Sequence, residues 1–391
     1  MDFSLDDEQR ALQDAVRSYL GDRFTGAQVR ELYENDPDDA TDGVPAALWK
    51  AIGEQGWLAV MVPEEHDGIG LGVLDASVLS RAFGAGTVPG PWLGTVLVGE
   101  AIRLAGSPEQ QAAWLPKIAA GEIKGAVALL TPNSTPSVEH APATSDGGSL
   151  SGTLSYVEYA GTADVLLVAA QDGLYLLERG GFTSTAHESL DRTVRLFTVE
   201  LSGPAEKLGA STPEAHAELL DRASVLVAAD LVGIARRALS DTVAYDKERV
   251  QFGRPVGSFQ AIKHHLADIH MSTTMAEHAV LFAAHALDLG DPDSALAASI
   301  AKAKASDTAR ESVSAMIQYH GGIGYTWEHH SHFYFKRAKR QEYAFGDGAQ
   351  HRERVAVLTL DQGGLSDEPL DNVQTGGSAG VEGTGVAAGA A

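Results

Sequence analysis

The stretch Tyr245-Asp246-Lys247-Glu248-Arg249-Val250-Gln251-Phe252-Gly253-Arg254-Pro255-Val256-Gly257-Ser258-Phe259-Gln260-Ala261-Ile262-Lys263-His264 joins two long segments of helical period, 214–249 and 258–289. Arg249 and Phe252 lie three apart near the end of the first and are expected to share a helix face. Arg249 supplies a planar fork suited to a pyrophosphate, and Phe252 an apolar surface for an aromatic group.

Outward from this joint, helical period returns near 293–319 and 328–342. All four helices exceed the usual mean of about 11–12 residues. Long helices with short connections imply an antiparallel bundle, placed at 208–360. Upstream, 123–207 holds short apolar runs, Ala126 to Leu130, Val165 to Ala169, Leu174 to Leu177 and Val194 to Leu201, separated by Gly/Ser/Asp clusters. These read as strands of a compact β domain. Residues 1–122 read as helical, with Ser4 capping a first helix that Gly21 ends. The tail 361–391 is rich in Gly, Ala and acids and is expected to be disordered. The expected fold class is α+β multidomain, mainly α: an N-terminal helical domain, a middle β domain and a C-terminal four-helix bundle.

Composition narrows the function classes. Lys and Arg total 29 against 53 Asp and Glu, a formal charge of −24, and such a field repels nucleic acid. Any anionic ligand then needs a local basic patch, which Lys336, Arg337, Lys339, Arg340, Arg352 and Arg354 could form; charge alone reads them as a solvated helix face. Cysteine is absent, excluding disulfides, thiolate metal sites and a cysteine nucleophile. The acidic start Met1-Asp2-Phe3-Ser4-Leu5-Asp6-Asp7-Glu8 is unlike a signal peptide. The apolar run Val225 to Ala235 is shorter than the roughly 20 residues that span a bilayer. A soluble cytoplasmic protein without membrane contact is expected. His320, His329, His330 and His332 lack the i, i+4 spacing that pairs metal ligands on one helix face, so no metal site is expected.

A second motif reads Gln318-Tyr319-His320-Gly321-Gly322-Ile323-Gly324-Tyr325-Thr326-Trp327-Glu328-His329, followed by Lys336-Arg337-Ala338. With the 245–264 stretch, and weaker matches at Gly56-Trp57, Pro63-Glu64-Glu65, Leu115-Pro116-Lys117, Gly121-Glu122 and Ala163-Asp164, it resembles the acyl-CoA dehydrogenase family over about residues 3–360. The resemblance implies FAD as cofactor, an acyl-CoA substrate and electron-transfer flavoprotein as acceptor. It also implies that Arg249, Phe252, Gln260 and the Gln318–Gly322 turn, with Gly321 and Gly322, contact the FAD of a neighbouring subunit. Glycines there would let backbone amides approach the cofactor, although alone they read as a helix C-cap and loop.

Three departures set the chain apart from that pattern. The family's flavin-ring loop, Thr-Glu-Pro-x-x-Gly-Ser-Asp, is here Thr131-Pro132-Asn133-Ser134-Thr135-Pro136-Ser137-Val138, keeping only Thr131 and Ser137 as cofactor contacts. The aromatic-Ile-Thr beside the flavin becomes Tyr156-Val157-Glu158, a carboxylate that would oppose negative charge on a reduced flavin. The catalytic Glu is replaced by Phe345, in Ala344-Phe345-Gly346-Asp347. A base could come from Asp221 or Asp347 if the backbone shifts, although they also read as a first-turn helix acid and a loop turn residue. The losses fall on the residues for this chain's own flavin ring. A heteromeric (heterotetrameric) enzyme is therefore expected, in which a sister subunit carries the Glu and this chain completes the FAD site in trans. The alternatives are a homotetrameric acyl-CoA dehydrogenase using Asp221 or Asp347, or a flavin monooxygenase or nitroalkane oxidase relative.

Overall fold

A computed structural model describes residues 5–35, 43–130, 136–137, 140–146 and 148–361. Helices α1 (Asp7–Arg23), α2 (Gly26–Glu34), α3 (Ala46–Glu54), α4 (Val73–Gly86), α5 (Trp92–Ala105) and α6 (Pro108–Ala119) come first. Strands β1 (Gly125–Ala128), β2 (Thr144–Asp146), β3 (Ser149–Glu158), β4 (Val165–Ala170), β5 (Gly173–Glu178), β6 (Phe182–His187), β7 (Leu196–Leu201) and β8 (Glu206–Lys207) follow. The C-terminal part is α7 (Pro213–Glu248), a hairpin of β9 (Val250–Gln251) and β10 (Arg254–Pro255), α8 (Gln260–Leu289), α9 (Ser294–Tyr319), α10 (Ser331–Tyr343) and α11 (Gly348–Ala356). Helical, β and helical regions thus succeed one another in the expected order. The tail beyond 361 lies outside the described residues.

The sequence reading of α1 needs correction at both ends. Asp6, rather than Ser4, is the cap, and it forms a reciprocal capping box with Gln9. The helix runs through Gly21 to Arg23, because the cap Phe24 is buried and donates its N–H to Leu20.

Two four-stranded sheets make the β region, in orders β1-β4-β5-β8 and β2-β3-β7-β6. The second is antiparallel throughout, whereas β1 pairs parallel with β4. Leu150, Leu154, Val157, Phe197 and Val199 pack against Leu166, Val168 and Leu177 of the facing sheet in one apolar cluster. A bulge shifts the β3 register between Leu154 and Val157, and Tyr156 there has φ 59°. Bulges of this kind re-aim a side chain next to a site.

Helix α7 is the axis of the molecule. Nearly every residue from Leu219 to Ala235 is buried, as expected of a helix surrounded by protein. The three charges buried in that span are each matched: Asp221 with Arg354, Arg222 with Glu100 at 3.0 Å, and Asp230 with Arg337 at 2.6 Å. Against α4 the backbones nearly touch. A Cβ on Gly233 would lie 2.0 Å from the Arg81 carbonyl oxygen, and one on Gly84 2.1 Å from that of Asp230. Gly233→Ala should therefore cost about 1–3 kcal/mol through forced overpacking. Gly21→Ala, with nothing within 4 Å and a helical setting, should instead stabilise by up to about 1 kcal/mol. Urea unfolding of the two variants would check the opposite signs; a Gly233→Ala midpoint equal to wild type would contradict the close contact.

Candidate functional site

Two concavities carry some of the residues singled out from the sequence. The first is a groove of about 650 Å³ lined by Tyr245, Arg249, Gln318, Gly321, Gly322 and others. Arg249 caps the C-terminus of α7 in an extended conformation. Its guanidinium makes no hydrogen bond or ion pair among the described residues. Gly321 has φ 64°, and a Cβ at Gly321 or Gly322 would meet nothing within 4 Å, so this backbone is open to a ligand. His320 steadies the turn: it is buried, stacks on Tyr245 at 4.4 Å, and its Nδ1 lies 2.7 Å from the Met316 carbonyl oxygen.

The expectation that Arg249 and Phe252 share a helix face is wrong. The helix stops at Glu248, and Phe252 sits at the tip of the β9–β10 hairpin. Phe252 and Gly253 have φ of 54° and 77°, the pair of positive values a two-residue type I′ turn requires. The tip holds Phe252 90% exposed, edge-on to Phe259, which also carries the Arg254 guanidinium 4.1 Å above its ring. Gln260 opens α8 just beyond, exposed.

The second concavity is a cavity of about 320 Å³ where the helical and β regions meet, lined by Pro91, Leu129, Tyr156, Glu158, Arg340 and Phe345 among others. Glu158 is the one carboxylate among its described lining residues, and Arg340 forms an ion pair with it. The carboxylate expected to oppose negative charge on a reduced flavin is therefore countered by a cation from α10. Phe345 is buried with φ 54° and forms part of the wall.

The corner that carries Phe345 is fastened from below. Lys302, fully buried on α9, donates to the carbonyl oxygens of Glu342 at 2.9 Å and Gly346 at 2.7 Å. His351 Nε2 lies 2.9 Å from the Phe345 carbonyl oxygen. Burial pulls the Lys302 ammonium down to about 7, with Glu342 and Asp347 opposing, and burial pulls His351 down to about 4. Sequence reading missed both residues. The signal was there for Lys302, which falls four residues after buried Ala298 on the face α9 turns inward.

Neither aspartate proposed as a base lines this cavity. Asp221 lies in the third turn of α7, buried, with Arg354 Nη2 3.0 Å from its second oxygen; burial raises its pKa while Arg354 pulls it back. Asp347 is the N-cap of α11, accepting from the amides of Ala349 at 2.9 Å and Gln350 at 2.8 Å. Each is held by a structural partner. Thr131 and the rest of 131–135 lie outside the described residues. Ser137 accepts the His140 amide at 3.1 Å, a local turn contact.

The basic run forms no open patch of unpaired cations, and only Arg352 of it is exposed. Arg337 is buried on Asp230, Arg340 meets Glu158, Lys339 meets Glu342, Arg352 meets Asp307 and Arg354 meets Asp221. Lys336 lies 4.7 Å above the Tyr33 and Trp327 rings. Of the α10 cations, Arg337 meets an acid of α7, Arg340 one of β3 and Lys339 one of α10 itself. The histidines pack ring against ring: His320 is tilted against His329 and His329 stacks on His330, each at 4.4 Å. No group of three or more metal-ligating side chains exists among the described residues, and none of their helices is long and apolar enough to cross a membrane.

Residues 214–358 match the family model described as acyl-CoA dehydrogenase, C-terminal domain, and residues 6–122 the acyl-CoA dehydrogenase, N-terminal domain. Acyl-CoA dehydrogenase IpdE2 of Mycobacterium tuberculosis is 34% identical over 85% of this chain and 91% of its own. Among solved structures, the Tcur3481-Tcur3483 steroid ACAD variant superposes with a TM-score of 0.82 at 29% identity, covering 92% of this chain and 99% of that one. A chain of the ChsE4-ChsE5 complex from Mycobacterium tuberculosis does so with a TM-score of 0.81 at 26% identity, covering 92% and 98%.

Proposed function

Because the chain belongs to the acyl-CoA dehydrogenase family, we propose that it serves a heteromeric FAD-dependent acyl-CoA dehydrogenase as the subunit that completes the cofactor site of a glutamate-bearing sister. One contrast carries this reading. The groove around Arg249 offers a free guanidinium and open glycine amides, whereas the cavity beside Phe345 offers no unpaired carboxylate among its described residues. Relatives whose structures pair two named chains, ChsE4 with ChsE5 and Tcur3481 with Tcur3483, support a two-chain assembly.

The donor set of the groove fits the pyrophosphate end of FAD. Arg249 would clamp the diphosphate, and the Gly321 and Gly322 amides and Gln318 would stand beside it. Phe252, held out by its hairpin, would cover an aromatic ring across the subunit boundary. When bound, FAD supplies the hydride acceptor for α,β-dehydrogenation of an acyl-CoA thioester. Phe345 cannot take the α-proton, so the sister supplies that base. Electron-transfer flavoprotein is the proposed acceptor.

Expression of this chain alone, and together with a Glu-bearing sister from the same source, tests the division of labour. The lone chain should be flavin-poor and inactive toward acyl-CoAs, and the pair should hold one FAD per heterodimer. Phe345→Glu should not create substantial activity in the lone chain. A yellow, active single chain that loses turnover on Asp221→Asn or Asp347→Asn would sink the reading.

A further inference from the structure

Asp246 sits near the C-terminus of α7, three residues before Arg249 and outside the Arg249 groove. It is only 1% exposed, yet neither carboxylate oxygen has a hydrogen-bond partner. It lines a separate groove of about 630 Å³ between α7 and α8, walled by Leu239, Val243, Pro255, Leu266 and Ala267. Gly257 keeps this approach tight, since a Cβ there would lie 3.3 Å from the Asp246 Cβ.

The charged groups nearby do not serve it. Lys247 on α7, and Lys263 and His270 on α8, are exposed along the groove, and none forms an ion pair with Asp246. Tyr319 of α9 is close enough for burial and the Asp246 charge to push its pKa up, but its hydroxyl is engaged with His265 Nδ1 at 2.6 Å. Burial alone pushes the Asp246 carboxyl up to about 6. Buried polar groups in native proteins are almost always hydrogen-bonded, so a donor from outside the chain is called for.

An apolar trough with a buried, unpartnered carboxylate in its lining matches one side chain in particular. Methylenes lie along the walls, and a planar fork meets both oxygens. The β9–β10 hairpin forms one end of this groove and also carries Phe252, so a chain that covers Phe252 reaches Asp246 as well. We propose that this groove receives an arginine side chain of the sister subunit, whose guanidinium pairs with Asp246 when the two chains assemble. The inference rests on the heteromer proposed above and names the contact that locks it.

The test is the subunit dissociation constant of the purified heteromer, for wild type and Asp246→Asn, at pH 7.5 and pH 5.0. Asn keeps an acceptor and the side-chain shape but removes the charge. Asp246→Asn should weaken assembly at pH 7.5 by roughly tenfold or more, as loss of a buried interfacial charge pair does. The wild-type complex should weaken as pH falls through the range in which Asp246 protonates, and the variant should lose that dependence. The melting temperature of the lone variant should not fall, which separates an interface role from an internal one. Equal constants for both proteins with the same pH response would overturn the arginine and leave an ordered water as the partner. Asp246-dependent self-association of the lone chain would overturn it in favour of a second copy. If the wild-type chains form no complex at all, the heteromer reading fails and this contact falls with it.

Discussion

Arg337→Leu should lower the unfolding free energy by about 3–5 kcal/mol, the usual cost of leaving a buried ion uncompensated. Arg337 reaches from α10 to four acceptors: Asp230 Oδ1 at 3.2 Å and Oδ2 at 2.6 Å, the Val88 carbonyl at 2.9 Å and Thr193 Oγ1 at 3.2 Å. Burial works against its charge, but Asp230 and Asp191 outweigh that and push its pKa up. It is a knot between α7, α10, the segment before α5 and the segment before β7. Removing it strands Asp230 inside the most buried helix of the chain. The double variant Asp230→Leu with Arg337→Leu should recover much of the loss, since no lone charge remains, although Val88 and Thr193 still lose a donor. Guanidinium unfolding of the three proteins would decide. A single variant within about 1 kcal/mol of wild type would mean that water reaches Asp230 and that the pair is not the knot described.

Arg249→Ala should cost the assembled enzyme roughly ten- to hundredfold in FAD affinity, because a hydrogen bond to a charged group is worth about 1.5–3 kcal/mol. The side chain is exposed and has no partner among the described residues, so its loss should leave the melting temperature of the lone chain near wild type. That separation of effects is the informative part. Arg249→Lys should rescue only partly, since an ammonium is a point charge and cannot form the two parallel bonds of a guanidinium. Flavin released on dilution, followed by fluorescence, gives the comparison. Unchanged retention in Arg249→Ala would remove the groove from the cofactor site.

The long helices were legible because burial follows their period. The segments read at 214–249, 258–289 and 293–319 appear as α7, α8 and α9 with ends within two residues. Strands with apolar runs were equally plain: Val165–Ala170 is wholly buried and reads as a strand on composition alone. Strand β3, Ser149–Glu158, was not seen, because one face meets solvent and its interior positions are spaced by a bulge rather than by strict alternation. Strand β6, Phe182–His187, is mostly exposed and offers little apolar signal beyond Phe182.

The site was legible where a motif is local and hidden where it is tertiary. Arg249, Gln318 and the glycines were found from sequence, and the fold brings them to one groove. What a spacing rule could not say is that the chain leaves the helix at Glu248 and turns, so that Phe252 is carried by a hairpin. Pairings across the fold were out of reach too. Asp221 with Arg354 and Glu158 with Arg340 are more than a hundred residues apart, and each changes the chemistry its acid was expected to have.

The fastening beneath Phe345 bears on how such a chain could change over evolutionary time. Lys302 and His351 grip carbonyl oxygens of the 342–346 corner, so its backbone is set by groups other than the side chain at 345. The corner is a socket whose occupant can be exchanged while the socket holds its shape. Subunits that share this scaffold are thereby free to specialise in opposite directions.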